Sequence, residues 1–339
     1  MNQLNKILLK IFNGKYLNVR ESEILFSVIF DGKLSNEQIS GILAILSFRG
    51  ESFEEILGAV NILKKRSKKI QLTGELIDTC GTGGDNKKSF NISTATAILA
   101  SACGLNVAKH GNRSVTSKSG SIDILEALGI EISDSISGIK KMYNKAGICF
   151  LFAPNFHKTL GSVAQIRKNI NIRTIFNLLG PLLNPSNVSF QLLGVTEKKF
   201  LETHSKCLSR MNLKESWVIH NLDGYDELTT TSTNLIIKIK GKKTSKPIRL
   251  SPGDIGFKIC KQNDLVGGDS KENAFIMNRL FEGETGPIRD NVILNTSACL
   301  LISGKVKNFK EGIDLACNTI DNYKAKRKLE ELISINTRK

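Results

Sequence analysis

The chain changes character at Leu76. Before it, only helical spacing occurs; after it, short apolar runs alternate with helical stretches. Leu76-Ile77-Asp78 leads into a glycine-rich loop and then a helical pattern from about Asn91 to Cys103. Leu105 to Lys109, Ile148 to Phe152 and Trp217 to His220 read as further strands, and Ile122 to Leu128 as a helix. Strands alternating with helices predict an α/β layer with a mostly parallel central sheet. Ligands in such sheets sit beyond the carboxyl ends of the strands. The stretch from Thr229 to Pro247 and on to Gly268 reads as an excursion of strands and loops.

The first 70 or so residues predict a helical subdomain. Ser35 with Gln38, and Ser52 with Glu55, have capping-box spacing and precede apolar runs. Ile39, Ile42, Leu43 and Leu46 form one apolar face. Leu4, Ile7, Leu8 and Ile11 fall at helical spacing without a following small-residue cleavage site, so Met1 to Phe12 reads as an amphipathic helix of the fold. With 339 residues, two domains, or one large domain with an appendage, are expected.

Composition narrows the function classes. Apolar residues at 40% and charged residues at 24% exclude collagen-like, wholly disordered and multi-span membrane chains. The net charge is +16, carried by 36 Lys and 12 Arg scattered along the chain. The densest runs are Lys64, Lys65, Arg66, Lys68 and Lys69, and Lys324, Lys326, Arg327 and Lys328. Bidentate phosphate recognition favours Arg, so this lysine excess reads as solvated surface rather than a nucleic-acid interface. A positive field would still favour a small phosphorylated substrate. The seven cysteines are odd in number and form no CxxC pair, which predicts reduced thiols in a cytoplasmic protein and no zinc site.

Four constellations carry chemistry. In Asp78-Thr-Cys-Gly-Thr-Gly-Gly-Asp85, three glycines in four residues let backbone N–H groups turn toward a ligand. The loop runs into a helix start at Asn91-Ile-Ser-Thr94, where N–H groups and dipole favour anions. Ser93 and Thr94 add hydroxyls able to reach a metal. The spacing is neither a Walker loop nor GxGxxG. Second, Lys109-His-Gly-Asn-Arg-Ser-Val-Thr-Ser117 places two cations and three hydroxyls after a strand, the pattern of a phosphate loop. Ser121 with Asp123 could instead cap the next helix. Third, Asp226-Glu227 at a strand end has the form of a magnesium site beside phosphates. Fourth, His157 and Arg167 precede Arg173-Thr-Ile-Phe-Asn177-Leu-Leu-Gly-Pro181; Arg167 could pair with a carboxylate substrate, and His157 could be a satisfied histidine near a helix start. The inventory fits a sugar carrying a diphosphate and a monophosphate.

Jointly GTGGD, NIST, KHGNRSVTS, GSIDILEALG, RTIFNLLGPLLNP, the Asp-Glu pair and Asp290 to Asn295 resemble the anthranilate phosphoribosyltransferase family, over almost the whole length. The resemblance implies a small helical domain, 1–72 with a returning segment near 163–187, and an α/β domain, 73–162 and 188–339. It implies a homodimer through the helical parts, an active site in the cleft between the domains, and no membrane or nucleic-acid partner. The reaction implied joins anthranilate to 5-phosphoribosyl 1-diphosphate with release of pyrophosphate. Donor contacts are implied for Gly81, Gly84, Asp85, Ser89, Asn91, Ile92, Ser93, Thr94, Lys109, His110, Gly111, Asn112, Arg113, Ser114, Val115, Thr116, Ser117 and Ser121. Gly81, Asn112 and Arg167 would meet anthranilate, with His110 and His157 lining its approach. Ser93, Asp226 and Glu227 would hold two Mg2+ ions. Transition-state support would come from Lys109, Asp226 and Glu227.

The chain departs from the family pattern in four places. Lys158-Thr-Leu160 replaces Pro-Ala-Met, Asn171 and Asn221 stand where Gly is usual, and Asn322-Tyr323-Lys324 replaces a small Ser-Gly segment. These touch the acceptor entrance and local turns, not the diphosphate loops. A pyrimidine nucleoside phosphorylase shares a similar KHGNRS loop but carries an STGGVGD-type loop in place of GTGGD. A nucleic-acid-binding relative need not keep both the Asp-Glu pair and Arg167.

Overall fold

The structure is a computed structural model that describes residues 3–114 and 118–335. In chain order, α1 (Gln3–Phe12), α2 (Val19–Phe30), α3 (Asn36–Arg49) and α4 (Phe53–Arg66) come first. Next follow β1 (Leu76–Asp78), α5 (Ile92–Ala102), β2 (Asn106–Gly111), α6 (Ser121–Ala127), α7 (Ile136–Ala146) and β3 (Ile148–Phe152). The short helices α8 (Ala153–Phe156), α9 (Ala164–Ile170) and α10 (Phe176–Leu179) precede β4 (Phe190–Gly194), α11 (Lys199–Leu208), β5 (Glu215–Asn221) and β6 (Asn234–Lys240). The chain ends with β7 (Lys243–Thr244), β8 (Ile248–Leu250), α12 (Ser270–Phe281), α13 (Pro287–Ile302), α14 (Phe309–Asp321) and α15 (Lys324–Ser334).

Two compact units result: Met1–Lys69 with Ala153–Pro185, and Ile70–Phe152 with Ser186–Lys339. The returning segment thus starts at Ala153 rather than near 163, because Phe156 already accepts a backbone hydrogen bond from Lys68 at 3.0 Å. The helical unit follows local rules. Ser35 and Ser52 form their expected capping boxes, and Asn18 with Glu21 forms one that sequence spacing had not flagged. Each such cap contributes about 1 kcal/mol. Ile39, Ile42, Leu43 and Leu46 are buried as the apolar face requires. Phe26, Phe30 and Phe176 meet with 6.1 Å between ring centroids, which ties the returning segment into the core. Burying such a ring stabilises by about 1.5–3 kcal/mol.

The α/β unit is built on an eight-stranded sheet ordered β3-β2-β1-β4-β5-β6-β7, with β8 also on β6. The five strands from β3 to β5 are parallel; β6, β7 and β8 are antiparallel, which is the excursion expected after Thr229. Strand order runs outward from β1 in one direction through β2 and β3, and in the other through β4 and β5. That reversal makes the carboxyl ends of β1 and β4 the topological switch point. Helix α13 is buried on nearly every face, with Val292, Leu294, Ala298 and Leu300 at zero exposure. No described helix is long and apolar enough to cross a membrane.

Candidate active site

All three motifs of the α/β unit leave carboxyl ends of parallel strands. The glycine loop follows β1, the KHGNRS loop starts in β2 and continues past it, and the acidic pair follows β5. The glycine loop turns because Gly83 and Gly84 take φ of +66° and +75°, which side chains rarely adopt. Asn86 and Lys88 are also left-handed, at +57° and +55°. Gly81 and Gly194 serve a different need, close approach. A Cβ on Gly81 would lie 2.3 Å from Asp226 Oδ2, and one on Gly194 would lie 1.5 Å from the Asp226 carbonyl oxygen. The acidic pair therefore packs directly on the glycine loop, where Gly83 N–H donates to Asp226 Oδ2 at 2.6 Å.

One carboxylate oxygen from each of Asp85, Asp226 and Glu227 lies within 4.8 Å of the other two. Asp226 is buried, and Glu227 Oε2 is buried without a hydrogen-bond partner among the described residues. Burial, with the Asp226 and Asp85 charges, pushes the Glu227 carboxyl well above its usual range. Burial likewise raises Asp85, against the Lys87 N–H bond that lowers it. Three carboxylates this close repel unless protonated or bridged by a cation, and an all-oxygen donor set suits magnesium. Ser93 lines one small cavity with Asp226 and Glu227, so the three residues expected to hold metal lie together, and Asp85 lies beside the two carboxylates. Asp85, expected from the sequence to meet the donor, closes the glycine loop and brings its carboxylate to the acidic pair.

Lys109 lies deeper than a phosphate-facing lysine would. It is 2% exposed, and its Nζ lies 3.3 Å from Ser93 Oγ and 3.4 Å from Thr79 Oγ1. The ammonium sits beneath the loop, on the side of the acidic cluster, where its charge lowers the Glu227 pKa. The backbone N–H of His110 donates to Asp78 Oδ1 at 3.2 Å, which joins the first two motifs at their bases. Gly120 caps α6 through Asp123, whose Oδ2 also accepts from Ser114 N–H at 2.9 Å. Ser121 is therefore not the cap. The Arg113 guanidinium pairs with Glu126 at 2.6 Å and Asp123 at 3.3 Å. Asn112 accepts from Arg113 N–H and is otherwise exposed. Val115, Thr116 and Ser117 lie outside the described residues. Asn91 joins Ser119 and Asn273 by side-chain bonds. Ser89 bridges to Val266, beside Ile92 at the start of α5.

His157 and Arg167 belong to the helical unit. His157 is 3% exposed and held by backbone groups, and burial lowers its pKa to about 4, so it is neutral at pH 7. It is a buried, neutral histidine of the helical unit's core. Arg167, on α9, lies with its guanidinium 5.4 Å from the Phe176 ring centroid and has no carboxylate partner among the described residues.

Departures from the family pattern have physical readings. Asn171 ends α9 at φ +51°, a position natural to Gly and tolerated by Asn. Tyr323 takes φ +56° before α15, where a bulky side chain is strained. Asn221 Nδ2 donates to Asn234 Oδ1 at 3.0 Å, anchoring the turn before the acidic pair.

Comparison with known proteins agrees with this architecture. Residues 5–67 match the helical bundle domain of a glycosyl transferase family, and residues 73–326 match its a/b domain. Fold and site thus define a two-domain glycosyl transferase. A relative from Petrotoga mobilis, an anthranilate phosphoribosyltransferase, is 42% identical over 97% of this chain and 96% of its own. The crystal structure of the Thermus thermophilus anthranilate phosphoribosyltransferase superposes with TM-score 0.90 at 34% identity, covering 99% of both chains. The Saccharomyces cerevisiae enzyme in complex with PRPP and Mg gives TM-score 0.88 at 29% identity, covering 98% of this chain and 97% of that one. Within the glycosyl transferases, this chain belongs to the anthranilate phosphoribosyltransferase family.

Proposed function

We propose that the chain transfers the 5-phosphoribosyl group of 5-phosphoribosyl 1-diphosphate to the amine of anthranilate, releasing pyrophosphate, a step of tryptophan biosynthesis. The observation that carries this reading is the trio Asp85, Asp226 and Glu227, drawn within 4.8 Å beside a glycine loop at the switch point of the sheet. A polyanion-binding surface would not gather three carboxylates there.

Asp226, Glu227, Asp85 and Ser93 would hold Mg2+, two ions in this reading. Bound there, magnesium would neutralise charge on the departing diphosphate. The rest of the work falls to the chain. N–H groups of Gly81 and Gly84 in the glycine loop and of Ser93 at the start of α5 receive phosphate oxygens, since those of Thr82 and Gly83 already donate to Gly194 and Asp226. Asn112 to Ser117 and Ser121 hold the remaining phosphate and the ribose. Lys109 keeps a fixed positive charge behind the cluster, where it costs no reorganisation during reaction. Arg167 receives the anthranilate carboxylate: burial lowers the pKa of its guanidinium, and a carboxylate partner compensates that cost. The aryl amine is neutral at pH 7 and attacks the anomeric carbon as pyrophosphate leaves, so positioning outweighs base catalysis.

The seven free cysteines fit a reducing, cytoplasmic compartment. Leu9, Phe12, Tyr16 and Phe48 are exposed on the helical unit, Phe48 at 95%, and fit a homodimer contact; a monomer by light scattering would remove that part of the reading. The central test follows anthranilate fluorescence with donor and Mg2+. Consumption is expected, and Arg167→Ala should raise the anthranilate KM at least tenfold while leaving the donor KM near wild type. No consumption overturns the function; an unchanged anthranilate KM overturns the role of Arg167.

A further inference from the structure

The acidic pair is followed by Leu228-Thr229-Thr230, three buried residues outside the sheet ladder. Buried backbone there must find partners, and asparagine side chains supply them. Leu228 N–H donates to Asn295 Oδ1 at 3.1 Å, and Asn295 Nδ2 donates back to the Leu228 carbonyl at 2.7 Å. Thr229 N–H donates to Asn234 Oδ1 at 2.9 Å, and Asn234 Nδ2 donates to the Thr229 carbonyl at 2.9 Å. Thr230 N–H donates to Asn291 Oδ1 at 2.8 Å, and Asn291 Nδ2 donates to Thr230 Oγ1 at 3.0 Å. All three asparagines are 2% exposed or less.

The geometry explains the residue type and spacing. A carboxamide both accepts and donates, so one side chain can satisfy both backbone groups of a residue; a carboxylate only accepts. Asn291 and Asn295 are four apart on α13, a rise of about 6 Å. Leu228 and Thr230 are two apart in the chain, about 6.6 Å when extended. The helix can therefore hold alternate residues, in antiparallel order, while Asn234 from β6 holds the one between. Buried asparagines inside a helix are poor for helix propensity, so their presence calls for a reason.

We propose that Asn234, Asn291 and Asn295 form an amide clamp that positions Asp226 and Glu227 for a divalent cation. The inference deepens the proposed function and rests on its assignment of the acidic trio as the cation site. On one side the pair is fixed by Gly83 N–H and the tight contacts at Gly81 and Gly194. On the other, the clamp fixes the backbone one residue beyond Glu227. Asn295 also lines the small cavity shared by Ser93, Asp226 and Glu227. These asparagines are positioning residues: they act on the cation through the carboxylates. Partners of metal ligands in this role typically govern affinity by 10–100-fold.

The test measures Mn2+ binding by electron paramagnetic resonance on the full chain, with inorganic pyrophosphate present, for wild type, Asn295→Ala and the milder Asn291→Ser. Melting temperatures without metal are recorded in parallel. Both variants are expected to weaken Mn2+ at least tenfold, and to raise the Mg2+ concentration for half-maximal rate while the anthranilate KM stays near wild type. A folded variant that melts lower but binds Mn2+ within twofold of wild type overturns the clamp, since its role is then only structural. If wild type shows no saturable Mn2+ binding, the cation site itself falls, and the clamp with it. Should Asn295→Ala fail to fold, Asn291→Ser decides alone.

Discussion

The helical unit and the switch-point loops solve the burial of charge in opposite ways. Glu55 is fully buried in the helical unit, yet its carboxylate pairs with Arg49, accepts Leu17 N–H at 3.0 Å and accepts Ser52 N–H at 2.9 Å. The buried Glu55 charge has its complement inside the protein. At the switch point, Asp85, Asp226 and Glu227 crowd together, Glu227 keeps a buried oxygen without a partner among the described residues, and four of the six residues from Gly83 to Lys88 have positive φ. The first arrangement is complete without a ligand; the second is completed by one. Local rules broken in concert at the head of a sheet mark a place where stability yields to binding.

Neutralising carboxylates in each region should give opposite outcomes, and this is the largest effect expected. Asp226→Asn combined with Glu227→Gln should cut kcat/KM by about 10²–10³ or more, the scale of losing preorganised charge stabilisation. It should also raise the melting temperature of the metal-free protein, because mutual repulsion is removed. Glu55→Gln should do the reverse. It strands the buried Arg49 guanidinium and should cost about 3 kcal/mol of stability, while turnover per folded molecule stays near wild type. Steady-state kinetics beside thermal melts of both variants would check this. A double variant that is both fully active and less stable would erase the contrast between the regions.

The same contrast predicts two pH slopes of opposite sign. Glu227 and Asp85 sit above their ordinary values of 4.5 and 3.8 in the folded state. Between the ordinary and the raised values, the folded protein binds more protons than the unfolded chain, so metal-free stability falls as pH rises through that range. His157 behaves the other way. Its folded value is about 4 against 6.5 unfolded, so the unfolded chain binds more protons between them, and stability is lost as pH falls through that window. Melting curves should show Glu227→Gln flattening the loss on the alkaline side and His157→Gln flattening the loss on the acid side. Saturating Mg2+ should mimic Glu227→Gln. If Mg2+ raised the melting temperature equally above and below the titration, the acidic trio would not be where it binds.

How much of this was legible in the sequence depended on range. Ser35 with Gln38 and Ser52 with Glu55 are contacts three residues long, and the residues themselves declare them. Ile148–Phe152 was readable because a β-rich run follows a turn glycine. Strand β4, by contrast, is buried at all five positions, so it shows no alternation to read. The glycine loop and acidic pair were visible as types, yet 143 residues separate Gly83 from the Asp226 oxygen it binds. Asn291 and Asn295 were the least legible. Polar residues within a helical pattern suggest an exposed face, and only the tertiary position of α13 puts them in the core. Lys109 was recognised as a cation after a strand, but its burial depends on Thr79 and Ser93 from two other segments.

The smallest expected effect separates strain that serves the site from strain that does not. Lys88 and Tyr323 both hold left-handed backbone, at φ +55° and +56°. Lys88 belongs to the glycine loop, and its carbonyl accepts Gly267 N–H at 2.9 Å. Tyr323 joins α14 to α15 with half its surface exposed and no part in the switch-point loops. A non-glycine residue in this region costs about 1–2 kcal/mol, part of which glycine returns through its freer unfolded state. Tyr323→Gly should therefore stabilise by about 1 kcal/mol, near 2 °C for a domain of this size, with kcat and both KM values unchanged. Lys88→Gly should relieve similar strain but loosen the loop, so its donor KM should rise while its melting temperature barely moves. If Tyr323→Gly lowered the melting temperature, its side chain would be contributing more than its backbone costs, and the strain at the switch point would lose its distinction from strain elsewhere.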